Sequence, residues 1–235
     1  MTIIKTKNIN AILVVSAMVF LTASVGHAIA NVNPSSAILK IYGVAVSTNT
    51  DCTNAKVVGY NATGQNYDFL SVPAPSLAAG PIDAGTYKCV ILYMENSLQF
   101  VPAATAGTCT NGTTYKRTIC SNGGGGGGVC TYTDASPDSS NILVFGADKL
   151  PDANSSTDIT HPNKVLLYLS TASTGNGNNA FRKPDATHLT YGLGLTAPLV
   201  VAATGSSGTF VVNFNGQVDG NGGSCDLGPP TFGFR

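Results

Sequence analysis

Hydrophobic and polar positions alternate with a period of two in several short stretches of this 235-residue chain. The clearest case is the segment 208–214 (GTFVVNF), in which Phe210, Val212 and Phe214 alternate with the residues between them. Such alternation is typical of a β-strand with one buried face. Stretches of this kind are separated by Gly, Asn and Pro, and their spacing predicts about nine to eleven short strands.

Further strands are predicted where β-branched and aromatic residues cluster between turns. The segment 86–94 (TYKCVILYM) is apolar on both faces, which favours a central position in a sheet. A turn is predicted at Asn61–Gly64 and a proline-rich loop at 71–81. The remaining predicted strands are 36–47, 57–60, 66–70, 141–145, 164–170 and 198–203.

The composition agrees with this pattern. The chain contains 27 Gly, no Trp and a single Glu, Glu95, and it is rich in Ser, Thr, Asn and Val. Long helices draw on Glu, Lys, Leu and Met, whereas strands and turns draw on the residues found here. The sequence therefore predicts an all-β protein built as an antiparallel sandwich or barrel. A single domain over 31–235, with an insertion at about 102–140, is expected.

The N-terminus has the pattern of a secretory signal peptide. Two lysines precede the apolar run 11–25, and Ala28 and Ala30 form an A-x-A site. The run is shorter than the ~20 residues that span a membrane. We expect residues 1–30 to be cleaved, leaving no membrane span and a mature, extracytoplasmic bacterial protein that begins at Asn31.

Six cysteines follow the predicted cleavage site, and an even number in an exported chain indicates disulfide bonds. They form no CxxC pair, which argues against a zinc ribbon or a thioredoxin-like site. We expect one bond to join Cys52 with Cys89. The local group Cys109, Cys120 and Cys130 is expected to share a partner with Cys225, and the connectivity within that group stays open.

The segment 102–140 differs in character from the rest of the chain. It contains three cysteines, few large apolar residues and the glycine run 123–128. Consecutive glycines have no side chains to pack, so the run predicts a flexible loop in a disulfide-pinned insertion. A glycine run satisfies the phosphate-binding pattern trivially, but the strand before it and the helix after it are missing.

One stretch carries a resemblance to a known family. Residues 82–87 (IDAGTY) lead into 89–93 (CVILY) after the apolar strand 39–46. This strand start resembles that of transthyretin-like and collagen-binding-B-type sandwiches, and that of exported bacterial domains of unknown function. The similarity covers 36–102 and extends to 198–214. It implies an Ig-like or transthyretin-like sandwich that acts as a surface or periplasmic binding, adhesive or stalk-forming module, and it assigns no catalytic residues to this chain.

Charge narrows the range of partners. The chain has 12 basic and 12 acidic residues, so it is near neutral and lacks the clustered basic surface that binds nucleic acid. No nucleic-acid partner is expected. With a single Glu, a pair of glutamates for glycoside hydrolysis is excluded, whereas a pair of aspartates is not.

A candidate calcium loop lies at Asp152, Asn154, Ser156 and Asp158. Oxygen-bearing residues at alternate positions are how a loop wraps a hard cation. However, Thr157 stands where an EF-hand-like loop has its turn glycine, and no Glu closes the loop. Asp and Asn also favour turns through bonds to nearby amides. No cofactor is expected from the sequence, with calcium at this loop as the one alternative.

Catalytic candidates are sparse. His161 and His188 each stand alone, and the chain contains neither an HExxH nor a GxSxG motif. Both histidines are therefore expected to be ordinary loop or strand-edge residues. The enzyme hypothesis that can be stated is a secreted hydrolase that uses scattered residues, namely Asp148, Asp158 and His161.

The leading hypothesis is an exported, non-enzymatic structural, adhesive or ligand-binding protein of the bacterial envelope or cell surface. Its expected partners are a surface glycan, matrix or further copies of itself. Tyr60, Tyr67 and Tyr132 would offer a face for stacking on sugars. A second alternative is a filament or surface-layer subunit, in which Phe234 on a loose C-terminal tail docks into a neighbour. The turn at 219–226 repeats the Asp and Asn pattern of the calcium candidate.

Overall fold

The computed structural model describes residues 31–71, 82–121, 128–129, 142–146, 148–151, 163–172, 181, 183–184, 193–203 and 210–234. This part of the chain is all-β, as expected: it forms strands and no helix. It therefore includes no helix that is long and apolar enough to cross a membrane. The strands are β1 (Pro34–Ser47), β2 (Lys56–Asp68), β3 (Gly85–Tyr87), β4 (Cys89–Pro102), β5 (Tyr115–Thr118), β6 (Cys120–Ser121), β7 (Gly128–Val129), β8 (Ile142–Phe145), β9 (Asp148–Pro151), β10 (Lys164–Ser170), β11 (Leu193–Gly194), β12 (Leu199–Val201), β13 (Phe210–Asn213), β14 (Val218–Asp219), β15 (Asp226–Leu227) and β16 (Thr231–Phe234).

A six-stranded sheet organises the fold, with the order β11-β10-β4-β1-β2 and with β5 also paired to β4. The β10–β11 pair is parallel and the other pairs of this sheet are antiparallel, so the sheet is mixed. β10 pairs with residues 89–95 of β4, and β5 pairs with residues 97–100 of the same strand. β4 lies between β1 and β10, which confirms the central position predicted from its two apolar faces.

Both faces of this central sheet are covered by packed side chains. Because successive side chains of a strand point to opposite faces, neighbours such as Ile91 and Leu92 enter different clusters. The major cluster packs one face against β12, β13 and β16, through residues such as Leu199, Phe210 and Phe232. The minor cluster packs the other face against β8 and includes the following residues: Tyr42, Ala45, Cys52, Cys89, Ile91, Tyr93, Leu143, Phe145, Leu166 and Tyr168.

The two short strands predicted on either side of Asn61–Gly64 are one continuous strand, β2. The register with β1 shifts between Ile41 and Gly43, and residues 61–64 fill the gap in β2. The turn chemistry predicted there is nevertheless present. The Asn61 side-chain oxygen accepts a hydrogen bond from the amide two residues on at 3.0 Å, and Gly64 has a φ of +68°. The turn residues at 61–64 therefore mark a bulge within one strand, because β1 pairs with β2 on both sides of them.

The strand predicted at 86–94 is divided between two sheets. β3 ends at Tyr87 and pairs with β12, whereas β4 begins at Cys89 and runs to Pro102. Lys88, between them, keeps backbone hydrogen bonds to Ser47 and Thr171. Periodicity did not reveal this break because the residues on both sides of it suit a strand equally well.

Residues 231–234 form a strand, β16, and not the loose tail on which the filament alternative was based. β16 pairs with β13, and Phe232 is buried. Phe234 is half-buried, with its ring 5.1 Å from the ring of Phe210. Its apolar side chain therefore already has a packing partner within its own chain.

Two disulfides join distant parts of the chain. The bond between Cys52 and Cys89 confirms the predicted pairing, with 5.3 Å between the Cα atoms. The second bond joins Cys109 to Cys225, with 4.7 Å between the Cα atoms, so Cys225 does pair with a member of the local group. Cys130 lies outside the described residues.

Other expectations fall where the structure gives no description. Within the predicted insertion at 102–140, Tyr115–Thr118 forms β5 of the central sheet, and its Tyr115 ring stacks on Phe100. The predicted signal peptide at 1–30, the proline-rich segment 72–81 and the glycines 123–127 lie outside the described residues.

Candidate functional site

Most of the residues singled out in the sequence cannot be placed in a site. Asp148, from the hydrolase alternative, is described and lies in β9. The following candidates lie outside the described residues: the calcium ligands Asp152, Asn154, Ser156 and Asp158, the histidines His161 and His188, and Tyr132.

Asp148 belongs to a cluster that the sequence did not indicate. At one end of the minor cluster, five side chains from five strands come together. We name this group the tyrosine–lysine cluster, and its members are Tyr42 of β1, Tyr60 of β2, Tyr93 of β4, Asp148 of β9 and Lys164 of β10.

Two strand irregularities bring the tyrosines to the same face. The register between β1 and β4 shifts after Ile41, which gives β1 an extra residue opposite Tyr93. The register between β1 and β2 shifts at Val44, which gives β2 an extra residue near Val58. A one-residue shift transfers the following side chains to the other face of a strand. Tyr60 therefore points toward the minor cluster, where its ring lies 6.4 Å from that of Phe145.

Glycine makes room for these rings at two positions. A Cβ atom on Gly43 would clash with the ring of Phe145, and one on Gly146 would clash with the ring of Tyr60. Gly146 also has a φ of +61°, the left-handed region that other residues avoid. Glycine at these two positions therefore allows the hairpin and the central sheet to approach closely, with Phe145 against β1 and Tyr60 against the β8–β9 turn.

Asp148 is the centre of the cluster. Its carboxylate accepts hydrogen bonds from the hydroxyls of Tyr93 at 3.0 Å and Tyr60 at 3.3 Å, and the Lys164 ammonium lies 3.4 Å away. The same ammonium lies 4.2 Å from the ring centre of Tyr42 and 5.2 Å from that of Tyr93. Cation–π attraction operates at these distances and strengthens with desolvation.

The electrostatics favour stability over proton transfer. Desolvation raises the pKa of the Tyr60 phenol, and the charge of Asp148 and the hydrogen bond to it raise this pKa further. Tyr60 is therefore a protonated donor at neutral pH. The Asp148 carboxylate accepts from two phenols and faces an ammonium, so the arrangement is suited to holding elements together.

The turn at 219–226 is explained by bonds within the protein. Asp219 accepts a hydrogen bond from the amide of Asn221 at 2.8 Å. Asp226 forms an ion pair with Arg117, also at 2.8 Å. Within the described ranges, no group of three or more His, Cys, Asp or Glu residues is placed to hold a metal ion.

The tyrosines proposed for sugar stacking do not form one platform. Tyr60 contacts the minor cluster, whereas Tyr67 packs against the major cluster on the other face of β2. The expectation that these two rings share a face is therefore wrong. The reason is the alternation along β2 together with its irregular register, which the sequence pattern does not show.

Comparison with known proteins adds no relative to this description. No family model, no curated protein and no solved structure matches the chain.

Sequence reasoning missed Tyr42, Tyr93 and Lys164 because it treated them as strand residues. One available signal was Lys164, a charged residue at the start of the otherwise apolar strand KVLLYLS.

Proposed function

We propose that the protein is an exported, non-enzymatic structural, adhesive or ligand-binding protein of the bacterial envelope or cell surface. The observation that carries this proposal is the pair of buried disulfides, Cys52–Cys89 and Cys109–Cys225. Disulfides form and persist in oxidising compartments outside the cytoplasm. The signal-peptide pattern at 1–30 gives the same compartment independently.

The arrangement of the core supports a sandwich as the scaffold. The pairs β3–β12 and β13–β16 contribute side chains to the major cluster, which covers one face of the central sheet. Two layers of strands around an apolar core are the basis of sandwich folds. This arrangement is compatible with the proposed resemblance to transthyretin-like sandwiches, which implies a binding, adhesive or stalk-forming module.

The chemistry of the described carboxylates supports a non-enzymatic role. Asp148 is engaged by two phenols and an ammonium. Asp68 accepts hydrogen bonds from the Ser36 hydroxyl and the amide of Ala37, and Asp226 pairs with Arg117. Each of these groups connects parts of the fold that are distant in sequence. That is the expected use of acidic residues in a rigid module, because such bonds fix loops and edges.

Export is tested by expressing the full chain with its own N-terminus in a bacterial host and fractionating the cells. The expected product is an extracytoplasmic protein that begins at Asn31. Ala30→Lys should block processing and retain residues 1–30, because signal peptidase admits only small side chains there. Ile29→Val is the matched control, because signal peptidase does not select the side chain at the middle position of the A-x-A site. Cytoplasmic retention of the unprocessed wild type would contradict the proposal, and so would hydrolase turnover by the purified protein.

A further inference from the structure

We propose that Asp148 and the rings of Tyr42 and Tyr93 form a recognition site for a primary alkylammonium group. In the structure, this site is filled from within by the side chain of Lys164. This internal ligand latches the β8–β9 hairpin onto the central sheet. The inference does not depend on export or on the protein's role at the cell surface.

The geometry is that of an ammonium site. One carboxylate faces the Lys164 nitrogen at 3.4 Å, and two aromatic faces lie 4.2 and 5.2 Å from it. A carboxylate combined with aromatic faces is the chemistry by which proteins bind alkylammonium ligands. The side chains of Asp148 and Lys164 are only 13% and 16% exposed, so both the ion pair and the cation–π contacts are largely shielded from water.

The hairpin depends on side chains for its attachment. Within the described residues, β8 and β9 pair only with each other and form a separate two-stranded sheet. Leu143 and Phe145 anchor β8 in the minor cluster. Asp148 provides a polar attachment of β9, because it bonds to Tyr60, Tyr93 and Lys164, which lie on three strands of the central sheet.

The site also borders the solvent. Tyr60, at its rim, is 36% exposed. Removal of the Lys164 side chain would therefore leave an acidic, aromatic-lined space that a small amine can enter from outside. Propylammonium reproduces the end of the lysine side chain and is the probe of choice.

The test is thermal unfolding of Lys164→Ala titrated with propylammonium chloride against sodium chloride of equal ionic strength. We expect Lys164→Ala to have a lowered Tm that the amine raises saturably, by about 2–4 °C. Wild type should show no such rise, because its site is filled. Asp148→Asn in the Lys164→Ala background should abolish the rescue. Lys116→Ala is the matched control, since Lys116 forms an ion pair with Glu95 but is 60% exposed.

Nuclear magnetic resonance of the wild type provides the second measurement, which does not require the variant to fold. Protons over an aromatic face are shifted upfield, so the Lys164 ε-methylene protons should resonate upfield of those of other lysines. Tyr42→Leu should reduce this shift. The proposal is overturned if Lys164 shows ordinary lysine shifts. It is also overturned if folded Lys164→Ala gains no more from the amine than from sodium, or no more than wild type does.

Discussion

Gly43 shows at the residue scale how the absence of a side chain determines what can pack on the central sheet. It lies at the irregularity of β1, and the ring of Phe145 occupies the space where its Cβ would be. Gly43→Ala should therefore lower the free energy of unfolding by about 1–3 kcal/mol through overpacking. Urea titration measures the effect. Gly222→Ala, at a glycine with open space around it, should stay within about 0.5 kcal/mol of wild type.

The hydroxyl of Tyr93 should contribute to stability through its hydrogen bond to Asp148 in the tyrosine–lysine cluster. The residue is fully buried, and its hydroxyl donates to Asp148 at 3.0 Å. Tyr93→Phe leaves a largely shielded carboxylate with one donor fewer, so we expect a loss of about 1–3 kcal/mol in urea titration. Tyr67→Phe is the control, because the Tyr67 hydroxyl bonds to Gln65 at the surface. Equal effects of the two substitutions would show that the Asp148 bond has no special weight.

Tyr60 should make stability depend on alkaline pH. Desolvation, and then the Asp148 charge and hydrogen bond, raise its pKa in the folded state above the ordinary tyrosine value of about 10. The folded state favours the protonated phenol. This stabilisation is therefore fully present below pH of about 10 and is lost as the pH rises through the higher folded-state pKa. Denaturant titrations at several alkaline pH values should show a shallower decline for Tyr60→Phe. An unchanged decline would contradict the assignment.

At the scale of elements, the sequence predicted strands well where the apolar pattern was long and uninterrupted. The predicted strand 164–170 coincides with β10, and 36–47 corresponds to β1. Buried Phe210 and Val212 confirm the alternation read from β13. Short strands such as β14 and β15 were missed because two residues carry no periodicity. The bulges that build the tyrosine–lysine cluster depend on pairing between distant strands, which a local pattern does not contain.

The disulfides belong to the same scale because each one fixes one element against another. Cys52–Cys89 closes a loop of 37 residues between the β1–β2 connection and β4. Cys109–Cys225 closes 116 residues. Loop-closure entropy gives upper values of about 4 and 5 kcal/mol for their stabilisation, respectively. We expect the double alanine variant of each pair to lose stability in denaturant titration, with the larger loss for the longer loop. The reverse order would indicate that strain or residual structure outweighs chain entropy.

At the scale of the whole molecule, the described part of the fold is an apolar sheet covered on both faces and secured by covalent and polar links. The two disulfides use four of the six cysteines. Cys120 lies in β6, whose partner strand β7 ends at Val129, the residue before Cys130 in the sequence. By parity and proximity in sequence, we predict that Cys120 pairs with Cys130. Trypsin leaves both cysteines on the single peptide 118–149. Without reductant, this peptide should be two hydrogen masses lighter than after reduction.

Intact mass and disulfide mapping of the protein recovered from the extracytoplasmic fraction test the central claim most directly. That claim is an exported all-β module held together by disulfides. We predict a chain that begins at Asn31, is six hydrogen masses lighter than its reduced form, and yields the linked pairs Cys52–Cys89 and Cys109–Cys225. A chain that keeps Met1 and carries free thiols at these four positions would contradict the account.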